Sequence, residues 1–173
     1  MSEDYQDKSP AAGRMGKAAE LLVAAACILM SRGELNVSTS YVDDEGVDLV
    51  FHRRGRPATL AVQVKSRMAS SARVSDGGFM AFVRAATFTP RADLDMLFVA
   101  VDDSAGALMC AWLVPSVEFD ARKGSPTSKG TYRFRASLKD ATRDQWRPWR
   151  LLPAELPSAV MTRLAQLDER PGV

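Results

Sequence analysis

Histidine occurs once in the 173 residues, cysteine twice, and no apolar run approaches the roughly 20 residues that would cross a bilayer. The first scarcity excludes a histidine-rich metal centre and leaves His52 as the sole histidine for a serine or cysteine triad. Cys27 and Cys110 stand alone in apolar surroundings without a C-x-x-C spacing, which excludes a zinc cluster and a disulfide framework. The third excludes a helical membrane protein. The polar, acidic N-terminus lacks a signal-peptide pattern, so a reducing cytoplasm is the expected location.

An excess of charge is also missing. Lys and Arg number 23 against 21 Asp and Glu, for a net charge of +2. The balance conceals a segregation: residues 52–91 carry eight basic residues against one acid, and residues 122–150 carry nine against two. A chain so divided presents basic surface to a polyanion despite its neutral total, unless these are only solvated loops and strand edges.

With 46% hydrophobic and 25% charged residues, the chain is long enough to bury the core of one domain. Residues 1–13 have no periodicity and read as a flexible tail before a single domain over 14–173. The Ala- and Leu-rich run 14–32 reads as a helix stopped by Gly33 and apolar nearly all round, as in a helix laid against a sheet. Strands are expected over 35–42, 47–53 and 58–66, the last two forming a hairpin, then over 94–103, 107–114 and 130–137. A short helix after Pro115 and an amphipathic helix over 154–168 complete the order. The segment 67–91 is ambiguous, with Phe79 to Val83 readable as strand or helix. The fold class is therefore α/β, a central mixed sheet flanked by helices.

The hairpin carries the chemistry. Period-two alternation puts Leu49 and Phe51 on one face and Asp48, Val50 and His52 on the other; Leu60, Val62 and Val64 oppose Ala61, Gln63 and Lys65 in the same way. A turn centred between Gly55 and Arg56 sets Asp48 across from Gln63, with Lys65 beside them. An acid, an amide and an amine on one patch have a plain reading, an exposed Asp48–Lys65 ion pair on a solvent face. They also have a chemical one, which Glu20, the only acid inside the first helix, would complete. Mg²⁺ or Mn²⁺ takes oxygen ligands, and Asp48, Glu20, the Gln63 amide oxygen and the Val64 backbone carbonyl are such donors. Lys65 would orient water and stabilise a pentacoordinate phosphate.

On these residues the chain resembles the PD-(D/E)xK nuclease superfamily: a helix with Glu20, then DDEGVDLVF with Asp48, then LAVQVKSR with Gln63-Val64-Lys65. The Gln-x-Lys form is most similar to the branch of Mrr-like restriction endonucleases and related bacterial domains, with Holliday-junction resolvases more distant. The resemblance implies a restriction-endonuclease-like fold and a Mg²⁺-dependent endonuclease acting on DNA, duplex or branched. Asp48 and Glu20 would be metal ligands, Gln63 a ligand or water positioner, and Lys65 the catalytic lysine. Gln63 stands where the family usually has an acid, which opens the alternative of an inactive nucleic-acid-binding module or an accessory protein-interaction subunit. Asp43, Asp44 and Glu45 are acids near enough in sequence to compensate. Arg53, Arg54, Arg67, Arg73, Arg133 and Arg135 would track phosphates, and Trp146 and Trp149 would either stack on bases or bury at a core edge. By analogy, cutting both strands calls for a homodimer.

Overall fold

The computed structural model describes residues 9–39 and 46–170. Its first helix, α1 (Pro10–Met30), begins earlier than the expected Arg14. Ser9 caps it by accepting the Ala12 amide, and Pro10 sits where a missing N–H costs nothing. Residues 10–13 therefore belong to the helix rather than to a tail, and residues 1–8 lie outside the described residues. The expected stop holds: Gly33, at φ +79°, donates its N–H back to the Ile28 carbonyl.

The strands are β1 (Leu35–Thr39), β2 (Leu49–Arg53), β3 (Thr59–Met68), β4 (Gly78–Arg84), β5 (Leu94–Asp102), β6 (Ala107–Pro115), β7 (Thr131–Ser137) and β8 (Arg150–Leu151). The helices that follow α1 are α2 (Ala72–Ser75), α3 (Ser116–Arg122) and α4 (Leu156–Asp168). Six strands form one mixed sheet in the order β1-β2-β3-β5-β6-β8, in which only β3 and β5 run parallel. The ambiguous segment resolves into α2 and β4, and β4 leaves the main sheet to pair with β7 as a separate antiparallel ribbon. The fold is thus mixed α/β, with helices on the sheet as expected.

Two cores form because each face of the sheet is covered by something different. Leu49, Phe51, Leu60, Val62, Val64, Leu97 and Val99 meet α1 and α4 through Ala19, Val23, Cys27, Leu156, Val160 and Leu164. On the opposite face Met96, Phe98, Trp112 and Val114 meet the ribbon through Phe79, Ala81, Phe134 and Ala136, with Phe119 of α3 closing the end. The Phe98 and Phe134 rings stack at 3.7 Å and 9°, which fixes the ribbon over β5. The ribbon covers β5 and β6, so the part of this face built from β2 and β3 is left for polar residues.

Among the described residues no helix is long and apolar enough to cross a membrane. Both thiols are buried and unpaired, and burial pushes Cys27 up to about 12. Between pH 9 and 12 the unfolded chain loses a proton that the folded chain keeps, so stability should fall as pH rises through that window. Denaturant titrations at pH 8 and pH 10.5 should show the loss, and Cys27→Ala should make it smaller.

Candidate active site

The register of the β2–β3 hairpin pairs Leu49 with Val62 and Phe51 with Leu60, as the turn at Gly55 requires. One further step along the ladder brings Asp48 to Gln63. There β2 ends, while β3 runs on to Met68. Asp48 donates its N–H to the Val62 carbonyl at 3.0 Å, and its Oδ2 accepts the Val64 N–H at 2.6 Å. The carboxylate thus takes over the backbone pairing that β2 no longer supplies, a charge-assisted bond of about 1.5–3 kcal/mol.

Backbone groups of alternate β3 residues face opposite neighbours. The Ala61 N–H reaches the Asp93 carbonyl on the β5 side, whereas Val62 and Val64 bond toward β2. In an extended strand the N–H and C=O of one residue point the same way, so the Val64 carbonyl is directed to the Asp48 side, beyond the end of β2.

Gln63 projects from the face opposite α1 and is 8% exposed. Its side chain lies against Gly46: a Cβ there would meet Gln63 Nε2 at 2.6 Å, and Gly46 holds φ +70°. The chain entering β2 can pass over the amide only because residue 46 has no side chain. Gly46→Ala should therefore displace Gln63 and shift the Asp48 loop, with a loss of about 1–3 kcal/mol in stability. Thermal melting and the amide signals of residues 46–48 and 63 in NMR would register both.

Lys65 leaves β3 on the same face as Gln63, half-buried, and is aligned with Phe98 of β5. Among the described residues its Nζ has no hydrogen-bond or ion-pair partner, so the expected Asp48–Lys65 surface pair does not form. An amine held on a strand with no counter-charge among the described residues is available to a ligand.

Glu20 is placed differently. α1 packs on the face opposite to Gln63 and Lys65, and the Glu20 carboxylate, 15% exposed, is held by Lys17 Nζ at 2.5 Å. No hydrogen bond or ion pair joins it to Asp48, Gln63 or Lys65 among the described residues. Among the described residues no group of three or more His, Cys, Asp and Glu that could hold a metal ion comes together there either. The oxygen set at the hairpin is one carboxylate, one amide and one carbonyl, with Asp43, Asp44 and Glu45 outside the described residues.

The basic residues divide into two groups. Arg53 and Arg54 sit at the turn end of β2, roughly 15 Å from Asp48 by strand rise, where Arg53 pairs with Glu34 at 3.7 Å. His52 is at that end too, away from Asp48. Arg67 follows Lys65 on the same strand face, and its Nη1 donates to the Ser66 carbonyl. Arg73 of α2 and Arg135 of β7 line one pocket, and Arg133 is exposed on the ribbon. Trp146 is buried against Phe119 and Phe134, so it is core rather than a base-stacking platform. Trp149 is partly buried, with the Arg122 guanidinium 4.8 Å from its ring centre. Trp112 is core as expected.

Arg84 and Lys139 escape the sequence reading. Their place on the ribbon and its pocket depends on the β4–β7 pairing, which joins residues 47 to 59 positions apart.

No family model matches this chain, and no curated protein matches it. A solved structure of a bacterial homing endonuclease, I-Ssp6803I, is similar at a TM-score of 0.60, with 19% sequence identity over 95% of this chain and 100% of that one. The similarity is one of fold along nearly the whole length of both chains.

Proposed function

We propose that the protein is a metal-dependent nuclease of PD-(D/E)xK type, hydrolysing phosphodiester bonds of duplex or branched DNA. The observation that carries this reading is the gathering of Asp48, Gln63 and the Val64 carbonyl where β2 ends, with the Lys65 amine, which has no partner among the described residues, two residues along β3. The fold shared with an endonuclease supports it.

The donors suit a hard divalent cation, Mg²⁺ or Mn²⁺, because all are oxygens and one is anionic. When bound, the cation would neutralise charge developing on the phosphate and activate water. Asp48 would hold it, with Gln63 and Val64 as neutral partners; Glu20, on the helix across the sheet, would take no part. Lys65 would bind a non-bridging phosphate oxygen and orient the attacking water. Gly46 and the Val64 N–H position the first two groups and touch no substrate.

Incubation of supercoiled plasmid and of a four-way junction with the purified chain should give cleavage in Mg²⁺ or Mn²⁺ and none in EDTA. Cleavage unaffected by EDTA would overturn the metal assignment. Since each chain carries one such site, cutting both strands would require two copies, which sedimentation on DNA would count. A second reading, a DNA-binding module without cleavage, is favoured by the neutral Gln63 and the absence of a three-acid cluster among the described residues. Binding in Mg²⁺ without any cut product would establish it.

A further inference from the structure

The β4–β7 ribbon has no part in the proposed chemistry, yet it is built with two unlike faces. Phe79, Ala81, Val83, Phe134 and Ala136 are buried toward the main sheet. The other face carries Met80, Phe82 and Arg84 on β4, with Arg135 directly opposite Met80 and Arg133 directly opposite Phe82. Arg84, Arg133 and Arg135 are exposed, and among the described residues no acid forms an ion pair with any of them. No acid is present in either strand of the ribbon. An uncompensated basic face costs self-repulsion and contributes nothing to the core, which suits a surface kept for a polyanion.

At the Gly78–Ser137 end this face runs into a pocket of about 390 Å³, lined in part by Arg73 of α2, Arg135 and Lys139. Gly77 and Gly78 also line it, and a Cβ on Gly78 would meet the Arg73 side chain at 3.0 Å. Two acids share the lining, Asp76 and Asp144. The second is already engaged, accepting from the Ser137 N–H, the Thr142 hydroxyl and the Trp146 N–H. Cations therefore prevail in the pocket.

We propose that the ribbon enters the major groove of duplex DNA, its Arg84, Arg133 and Arg135 reaching base edges, while Arg73 and Lys139 in the adjoining pocket seat a backbone phosphate. The dimensions agree: two strands lie about 5 Å apart, and with side chains they fill a groove about 12 Å wide. Seven residues per strand give a reach of roughly 20 Å, enough to cross from groove floor to phosphate. Arginine is the side chain that binds guanine O6 and N7 in bidentate fashion. The inference deepens the nuclease reading by specifying double-stranded B-form DNA and the element that holds it.

The test measures binding in EDTA, so that cleavage has no part in it. Fluorescence anisotropy of the full chain on a short duplex and on the matching single strand is combined with interference by guanine N7 methylation, which marks the major groove. Arg133→Ala with Arg135→Ala should weaken duplex binding about 100-fold and abolish the methylation interference. Arg73→Ala with Lys139→Ala should weaken binding to all duplex sequences alike and flatten the logarithmic salt dependence by about one to two units. Arg14→Ala with Arg170→Ala, two charges removed from the opposite side of the molecule, should change affinity only a few-fold. Equal losses in all three pairs, an equal loss on single strands, or wild-type binding indifferent to N7 methylation would each overturn the proposal. A chain that binds in this way and never cuts would overturn the nuclease reading and leave this one standing.

Discussion

Lys65→Ala should lower DNA cleavage about 100- to 1000-fold while leaving the melting temperature and the affinity for DNA in EDTA nearly unchanged. The physical basis is that Lys65 makes no hydrogen bond or ion pair among the described residues, so its removal breaks nothing that holds the fold. A donor whose bond to the phosphate strengthens as charge builds on it affects the rate more than binding, and removal of one such donor costs 100- to 1000-fold in well-studied cases. Asp48→Ala should abolish cleavage as well, but with a different signature. Its Oδ2 accepts the Val64 N–H, so that variant also leaves a backbone donor unpaired and loses about 1–3 kcal/mol of stability. Asp48→Asn, which keeps an acceptor of the same size, separates the two effects: stability returns and cleavage does not. Glu20→Gln should leave cleavage nearly unchanged, because α1 lies on the opposite face of the sheet and the carboxylate is engaged by Lys17. Cleavage unchanged in Lys65→Ala would remove the proposed site altogether.

The second large effect concerns the fold that carries this site. Arg163→Ala should destabilise the protein by about 3–5 kcal/mol, lowering the melting temperature by roughly 10 °C. Asp95, at the start of β5, is fully buried and is held in bidentate fashion by Arg163 of α4, with both contacts at 2.8 Å. The same guanidinium reaches the Ala92 carbonyl and clamps α4 over the parallel β3–β5 junction. Burial pushes the Asp95 carboxyl above its ordinary range, and Arg163 pulls it back down. Removing the arginine leaves the upward push alone, so the folded chain would bind a proton that the unfolded chain has already lost. Stability is then retained at low pH and lost as pH rises through the raised value. Arg163→Ala should accordingly lose less at pH 5 than at pH 7 in urea titrations. An equal loss at both would show that Asp95 is not the group left uncompensated. Replacing both residues by apolar ones of similar volume should cost much less than either single change.

This pair shows where sequence reading ended. Asp95 and Arg163 lie 68 residues apart, the first a polar position in an apolar strand and the second a charge on an amphipathic helix. Neither has a periodic signature, because the contact depends on how α4 crosses the sheet. The same limit applied to β4 and β7. Phe79 to Val83 was readable as strand or helix until its partner strand was in place, and the basic face of the ribbon exists only through that pairing. Trp146 likewise offered two readings, and packing against Phe119 and Phe134 chose the core.

The sequence by itself determined the local geometry of the hairpin. Alternation and a glycine turn are short-range rules, and they suffice to bring Asp48 across from Gln63 with Lys65 on the same face. It also determined that basic residues collect in two stretches, since charge order is written in the chain. Only the tertiary structure decided which of those charges act together. It set Arg53 and Arg54 at the far end of β2, joined Arg73 to Arg135 across the ribbon, and put Glu20 on the face opposite Lys65. Such placements follow from the way two hydrophobic cores close on either side of one sheet, and that closure rests on contacts between residues distant in sequence, which no local pattern encodes.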